Sequence, residues 1–152
     1  MNTQNFRTAT LHAGDDKVKQ KIKVLLVDDE RHIRMLMNKV MTSMNLEVVA
    51  EAANGHEAVE MYRTHKPHMV FLDINMPGMD GQEALKQIKS EYPDAFIIML
   101  TSLSAMDIVT ECLDLGAANY IRKDTPLNEL KGYVKESWDD YIAYMKGKKN
   151  AD

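Results

Sequence analysis

The feature that most constrains this chain is an alternation. Five short apolar runs are interleaved with five stretches whose apolar residues recur at helical spacing. A short run rich in Val, Ile and Leu reads as a strand buried on both faces, whereas a period near 3.6 reads as one face of a helix. Residues 21–27 form the first run, and Ile33, Leu36, Met37, Val40, Met41 and Met44 follow at helical spacing. A second run near 46–51 leads to Asn54 and, three residues later, Glu57, a helix-start pair that continues into Ala58, Val59 and Tyr62. Pro67 precedes a third run at 68–72, and Met76, Pro77, Gly78 and Met79 make a loop. Asp80 and Glu83 then repeat the capping pattern ahead of Ala84, Leu85 and Ile88. A fourth run spans 96–100, and Ile108, Val109, Cys112, Leu113 and Leu115 fit a helix ended by Gly116. Tyr120 and Ile121 sit in a last short strand. Pro126, at or near the first turn, then opens a helix carrying Leu127, Leu130, Val134, Trp138, Tyr141, Ile142 and Met145.

This order predicts an α/β fold, a doubly wound parallel sheet of five strands flanked by five helices. A chain of 152 residues supports one such domain and not two. Residues 21–146 are assigned to it. Residues 1–20 hold few apolar side chains in no regular period and read as a mobile extension, and residues 147–152 read as a C-terminal tail. The basic cluster Lys146, Lys148 and Lys149 is read as a solvated, frayed end. A composition of 45% hydrophobic and 28% charged residues argues against disorder. No apolar run approaches the roughly 20 residues of a membrane span, and no apolar signal segment opens the chain. The single cysteine, Cys112, excludes an internal disulfide and suits a reducing, cytoplasmic setting. A net charge of -4 disfavours nucleic acid as a partner.

In open parallel sheets, reactive groups gather beyond the carboxyl ends of the strands. Here those ends are polar in a coherent way. The first strand runs into Asp28 and Asp29, the third into Asp73, the fourth into Thr101, and the fifth leads to Lys123. Each alone has a plainer reading: a cap, a satisfied hydroxyl, a surface charge. Together they make a set. Converging carboxylates disfavour one another's ionisation, and a hard divalent cation resolves that conflict. Oxygen ligation with few carboxylates is what Mg²⁺ prefers. A lysine and a hydroxyl beside such a carboxylate suit it to attack phosphorus, because charge on the transferring group is then compensated.

Four segments carry a family resemblance: Val27, Asp28, Asp29 and Glu30; residues 72–81 (LDINMPGMDG); Leu100, Thr101 and Ser102; and residues 116–123 (GAANYIRK). They resemble the signature blocks of bacterial two-component response-regulator receiver domains, of the CheY-like single-domain kind. The likeness runs from about 21 to 145. It implies a flavodoxin-like fold with strand order 2-1-3-4-5. It also implies Asp73 as phosphoacceptor, with Mg²⁺ held by Asp28, Asp29, Asp73 and the backbone carbonyl of Asn75. Lys123 and Thr101 would contact the phosphoryl oxygens, Thr101 and Tyr120 would form the switch, and Asn75 and Leu103 would sit at the rim. One departure concerns the residue after Lys123, where such families usually place proline and this chain has Asp124.

The resemblance implies a phosphoacceptor that catalyses only its own phosphorylation and dephosphorylation. A sensor histidine kinase or histidine phosphotransfer protein would be the donor, and a downstream protein the effector, with no membrane partner. The protein would be a monomer or a phosphorylation-dependent dimer. The last helix ends close to Asp152, so output is expected through non-covalent partners, either chemotaxis-type or as a phosphorelay shuttle. A haloacid-dehalogenase-type phosphatase is the remote alternative, although the position two beyond Asp73 is Asn75 and not an acid. A flavin module shares the topology, but Asp28 and Asp29 stand where its phosphate loop would be. The five histidines lack metal-ligand spacing, and most methionines follow the core periods. Met76 and Met79, beside Asp73, are candidate kinase contacts.

Overall fold

The computed structural model describes residues 20–151; apart from Gln20, the expected extension 1–20 lies outside them. The elements run β1 (Lys23–Val27), α1 (Arg31–Ser43), β2 (Glu47–Ala52), α2 (Gly55–His65), β3 (Met69–Leu72), α3 (Gly81–Glu91), β4 (Ile97–Thr101), α4 (Met106–Asp114), β5 (Asn119–Arg122) and α5 (Leu127–Ala151). All four strand pairings are parallel, in the order β2-β1-β3-β4-β5. The expected fold is therefore present. No helix among the described residues is long and apolar enough to cross a membrane.

Successive residues of a strand point to opposite faces, so a doubly covered sheet builds two cores. Val24, Leu26, Phe71, Ile98 and Leu100 pack with α1 and α5 through Met37, Met41, Val134 and Trp138. Leu25, Val27, Val70, Leu72 and Met99 pack with α2, α3 and α4 through Ala58, Val59, Leu85, Ile88 and Cys112. Both predicted capping pairs form. Asn54 and Asp80 each accept the backbone N–H three residues on, from Glu57 and Glu83, at 2.9 Å. Gly116, at φ 106°, is the left-handed residue after α4. There Gly116 N–H reaches Leu113 O and Ala117 N–H reaches Cys112 O, satisfying two terminal carbonyls.

Three expectations change. Leu36 and Leu113, assigned to inward stripes, are 45% exposed, because each lies at the margin of the strip its helix presents to the sheet. Residues 147–151 continue α5 instead of forming a tail. That end is anchored: Lys148 Nζ pairs with Asp94 Oδ1 at 2.8 Å, and the Tyr141 hydroxyl donates to Asp94 O at 2.7 Å.

Cys112 is fully buried, and burial pushes its thiol from 9.0 up to about 11, with Glu111 and Asp80 adding to the shift. The folded-state value is raised, so its stabilising contribution is complete below pH 9 and is lost as pH climbs toward 11. Two results are expected. Alkylation at pH 8 is slow until the protein unfolds, since the thiolate is the nucleophile. Replacing Cys112 by Ala flattens the fall in stability between those pH values, measured by denaturant titration against wild type. Equal slopes would contradict this.

Candidate functional site

The polar cluster follows from where the ladders stop. Asp28 N–H donates to Ala52 O at 3.0 Å and Asp73 N–H to Val27 O at 3.0 Å, each one residue past the end of its strand. Both side chains are nearly fully buried, and each is held by a local backbone donor. Asp28 Oδ1 accepts Glu30 N–H at 2.9 Å, and Asp73 Oδ1 accepts Ile74 N–H at 2.8 Å. Asp29 is exposed at the mouth. One carboxylate oxygen from each of Asp28, Asp29 and Asp73 lies within 4.8 Å of the others.

Lys123 enters from the end of β5, its N–H bonded to Thr101 O at 3.0 Å. Its ammonium lies 2.7 Å from Asp28 Oδ2, 3.1 Å from Asp73 Oδ2 and 3.3 Å from Glu30 Oε1. Burial works against the ammonium, but hydrogen bonds and charge from Asp28 and Asp73 outweigh it and hold Lys123 above its ordinary value. Burial pushes the Asp28 carboxyl up despite the same lysine. We take the ionised pair as the governing arrangement, because the 2.7 Å contact is short and charge-assisted. Crowded, hard oxygen donors of this kind fit Mg²⁺. Sequence position alone reads Glu30 as a helix start, and only the fold brings it to Lys123.

Thr101 is fully buried, and its Oγ1 accepts Leu103 N–H at 3.3 Å. The Tyr120 hydroxyl donates to Leu103 O at 2.8 Å. One residue's backbone thus joins the two switch candidates. The Tyr120 ring is half-buried, packed on the second core with Leu103 and Ile108. Asn75 is exposed at the rim. Met76 is buried in the core, so it is not a surface contact, while Met79 is partly buried beside Gly55. The loop from 74 to 80 is pinned at both ends, by Gly81 N–H to Ile74 O at 2.9 Å and Gly55 N–H to Met79 O at 3.0 Å. Asp124 forks with Arg122, Nε to Oδ1 at 3.0 Å and Nη2 to Oδ2 at 2.9 Å, while Thr125 N–H closes the turn on Arg122 O.

Known proteins are similar to this chain in sequence and fold. The response regulator receiver domain family matches residues 24–135. The chemotaxis protein CheY of Bacillus subtilis is 42% identical over 101 residues, covering 66% of this chain and 84% of that protein. Sporulation initiation phosphotransferase F of the same organism is 34% identical over 114 residues, covering 75% and 91%. A chain of the CheX–CheY–BeF₃–Mg²⁺ complex from Borrelia burgdorferi superposes with a TM-score of 0.77 at 31% identity, over 79% of this chain and 91% of that one. The matched residues hold the whole sheet and the acidic cluster, so the chain belongs to the response regulator receiver domain family of two-component signalling, among its CheY-like members.

Proposed function

We propose that Asp73 accepts a phosphoryl group from a phosphohistidine on a sensor kinase or phosphotransfer protein, and that the surface formed by α4, β5 and α5 reports the change. One observation carries this reading. Three carboxylates converge within 4.8 Å, and the buried ammonium of Lys123 sits 3.1 Å from Asp73 Oδ2. As an Asp73 oxygen bonds to phosphorus, the bond to the donor imidazole nitrogen breaks. Lys123 and the Thr101 hydroxyl are then positioned to compensate charge on the phosphoryl oxygens. A Mg²⁺ ion held by Asp28, Asp29, Asp73 and the Asn75 carbonyl would supply further positive charge there. Asn75 and Leu103, at the rim, govern entry of the water that removes the group.

The route outward runs through Leu103. A Thr101 hydroxyl drawn to a phosphoryl oxygen gives up Leu103 N–H, and the Leu103 carbonyl holds Tyr120. The two surface states need differ by only a few kcal/mol for this to shift their populations. We favour a protein effector bound non-covalently in the cytoplasm, as in chemotaxis-type regulators. A phosphorelay shuttle is the second reading, motivated by the sporulation phosphotransferase that shares 34% identity. A phosphatase role finds no support, since Asn75 offers no acid for a leaving group.

Given a small-molecule phosphodonor and Mg²⁺, the protein is expected to gain one phosphoryl group by intact-mass measurement, and none once the metal is chelated. Labelling that ignores chelation would refute the metal dependence.

A further inference from the structure

Asp29 presents a puzzle of aim. Its side chain is exposed and makes no hydrogen bond or ion pair with any described residue, yet its carboxylate converges with those of Asp28 and Asp73. Its aim therefore depends on where the backbone places its Cα–Cβ bond and on its own rotamer. The peptide plane between Asp28 and Asp29 carries the Asp28 carbonyl, and that oxygen accepts Arg34 Nη1 at 2.7 Å. The same guanidinium gives Nε to Glu51 Oε1 on β2 at 2.9 Å, and Asn38 steadies Glu51 Oε2 at 3.4 Å. The Arg34 side chain is only 17% exposed. A planar guanidinium, with its donors in a fixed fork, suits such a bridge better than a flexible ammonium does.

We propose that Arg34 is a positioning residue for the acidic pair, locking the Asp28–Asp29 peptide plane so that Asp29 faces the cation site. This rests on the reading of Asp28, Asp29 and Asp73 as a Mg²⁺ site. Arg34 is a cation near that site, so its charge alone would weaken binding of a second cation. Glu51 balances that charge, which leaves the grip on the carbonyl as the governing effect.

The test is Mg²⁺ affinity by calorimetry on the full chain, well below its melting temperature, where a merely structural loss would not alter the folded protein's binding constant. Exchanging Arg34→Met together with Glu51→Gln removes the bridge without changing net charge, and is expected to weaken binding on the order of tenfold, as loss of a ligand-orienting contact does. Arg34→Lys keeps the charge and loses the fork, so it serves if the pair folds poorly; a smaller weakening is expected. Glu51→Gln alone retains an acceptor for Arg34 but leaves its charge unbalanced, so a weakening smaller than that of the balanced pair is expected. Unchanged affinity in the balanced pair and in Arg34→Lys, with binding lost in Asp29→Ala, overturns the role of Arg34 alone. Wild-type affinity in Asp29→Ala, or no Mg²⁺ binding by the wild type, overturns the site reading and this inference with it.

Discussion

Asp73→Asn is expected to reduce phosphorylation by a small phosphodonor to background while leaving the fold intact. The amide has nearly the shape of the carboxylate, and its oxygen can still accept Ile74 N–H, which holds Oδ1 at 2.8 Å. What is lost is the nucleophile, one negative charge and the 3.1 Å ion pair of Lys123 with Oδ2, where the amide NH₂ would face the ammonium. Burial does most to raise the Asp28 carboxyl's pKa and the Asp73 charge adds to it, so removing that charge relieves a repulsion within the buried cluster. The relieved repulsion and the lost ion pair oppose each other, so thermal stability without metal should stay near wild type, and Mg²⁺ affinity should fall. Intact-mass measurement, a melting curve and calorimetry separate the three effects. Normal labelling of the Asn variant would remove Asp73 from the mechanism.

Gly81→Ala should be the most damaging small substitution near the site. A Cβ there would land on the carbonyl oxygen of Asp73 and within 2.7 Å of Ile74 Cα. Those are backbone atoms of the loop that presents the phosphoacceptor, so no side chain can swing aside to make room. Overpacking of this kind costs about 1–3 kcal/mol, which is a fall in melting temperature of roughly 2–12 °C for a domain of this size. Phosphorylation should slow as well, because the displaced atoms belong to Asp73 and its neighbour. Gly132→Ala provides the control. Nothing lies within 4 Å of its Cβ position, and it sits inside α5, where alanine is the better helix former by about 0.5–1 kcal/mol. The same one-carbon change should thus lower stability at one position and raise it at the other. Equal melting temperatures for the two variants would contradict this account.

The sheet and its helices were legible because their signals are local. Buried parallel strands demand apolar runs, and the helix starts after Asn54 and Asp80 are written in four residues each. The strand-end acids were legible through the topology rule, since a strand's last residue marks its place in the crevice. What stayed hidden depends on partners far apart in sequence. Glu30 meets Lys123 across 93 residues, Arg34 bridges to a strand 17 residues away, and Lys148 finds Asp94 at a separation of 54. Charged residues on a helix read as solvated until a neighbouring element is known. The inward readings of Leu36 and Leu113 failed for a related reason: periodicity marks a stripe but not the width of the groove that receives it. Met76 failed in the other direction, because its loop looks polar while the buried side chain closes the end of a core.

The two separate cores have a bearing on how such a protein can change over generations. Strand parity puts Asp28 and Asp73 opposite the side chains of Val27 and Leu72, toward α1 and α5. By the same parity Thr101 falls on the other face from Leu100, and Tyr120 packs with the core shared by α2, α3 and α4. The acidic cluster and the Thr101–Tyr120 pair proposed as the switch therefore lie on opposite faces of one sheet, joined through Leu103. Substitutions that retune the listening side, by reshaping α4 or the packing around Tyr120, leave α1 and its packing under the acids untouched, while α5 serves both sides. A lineage can thus acquire a new listener without rebuilding the chemistry, and an engineer can graft one receiver's output face onto another's reactive face along the same seam.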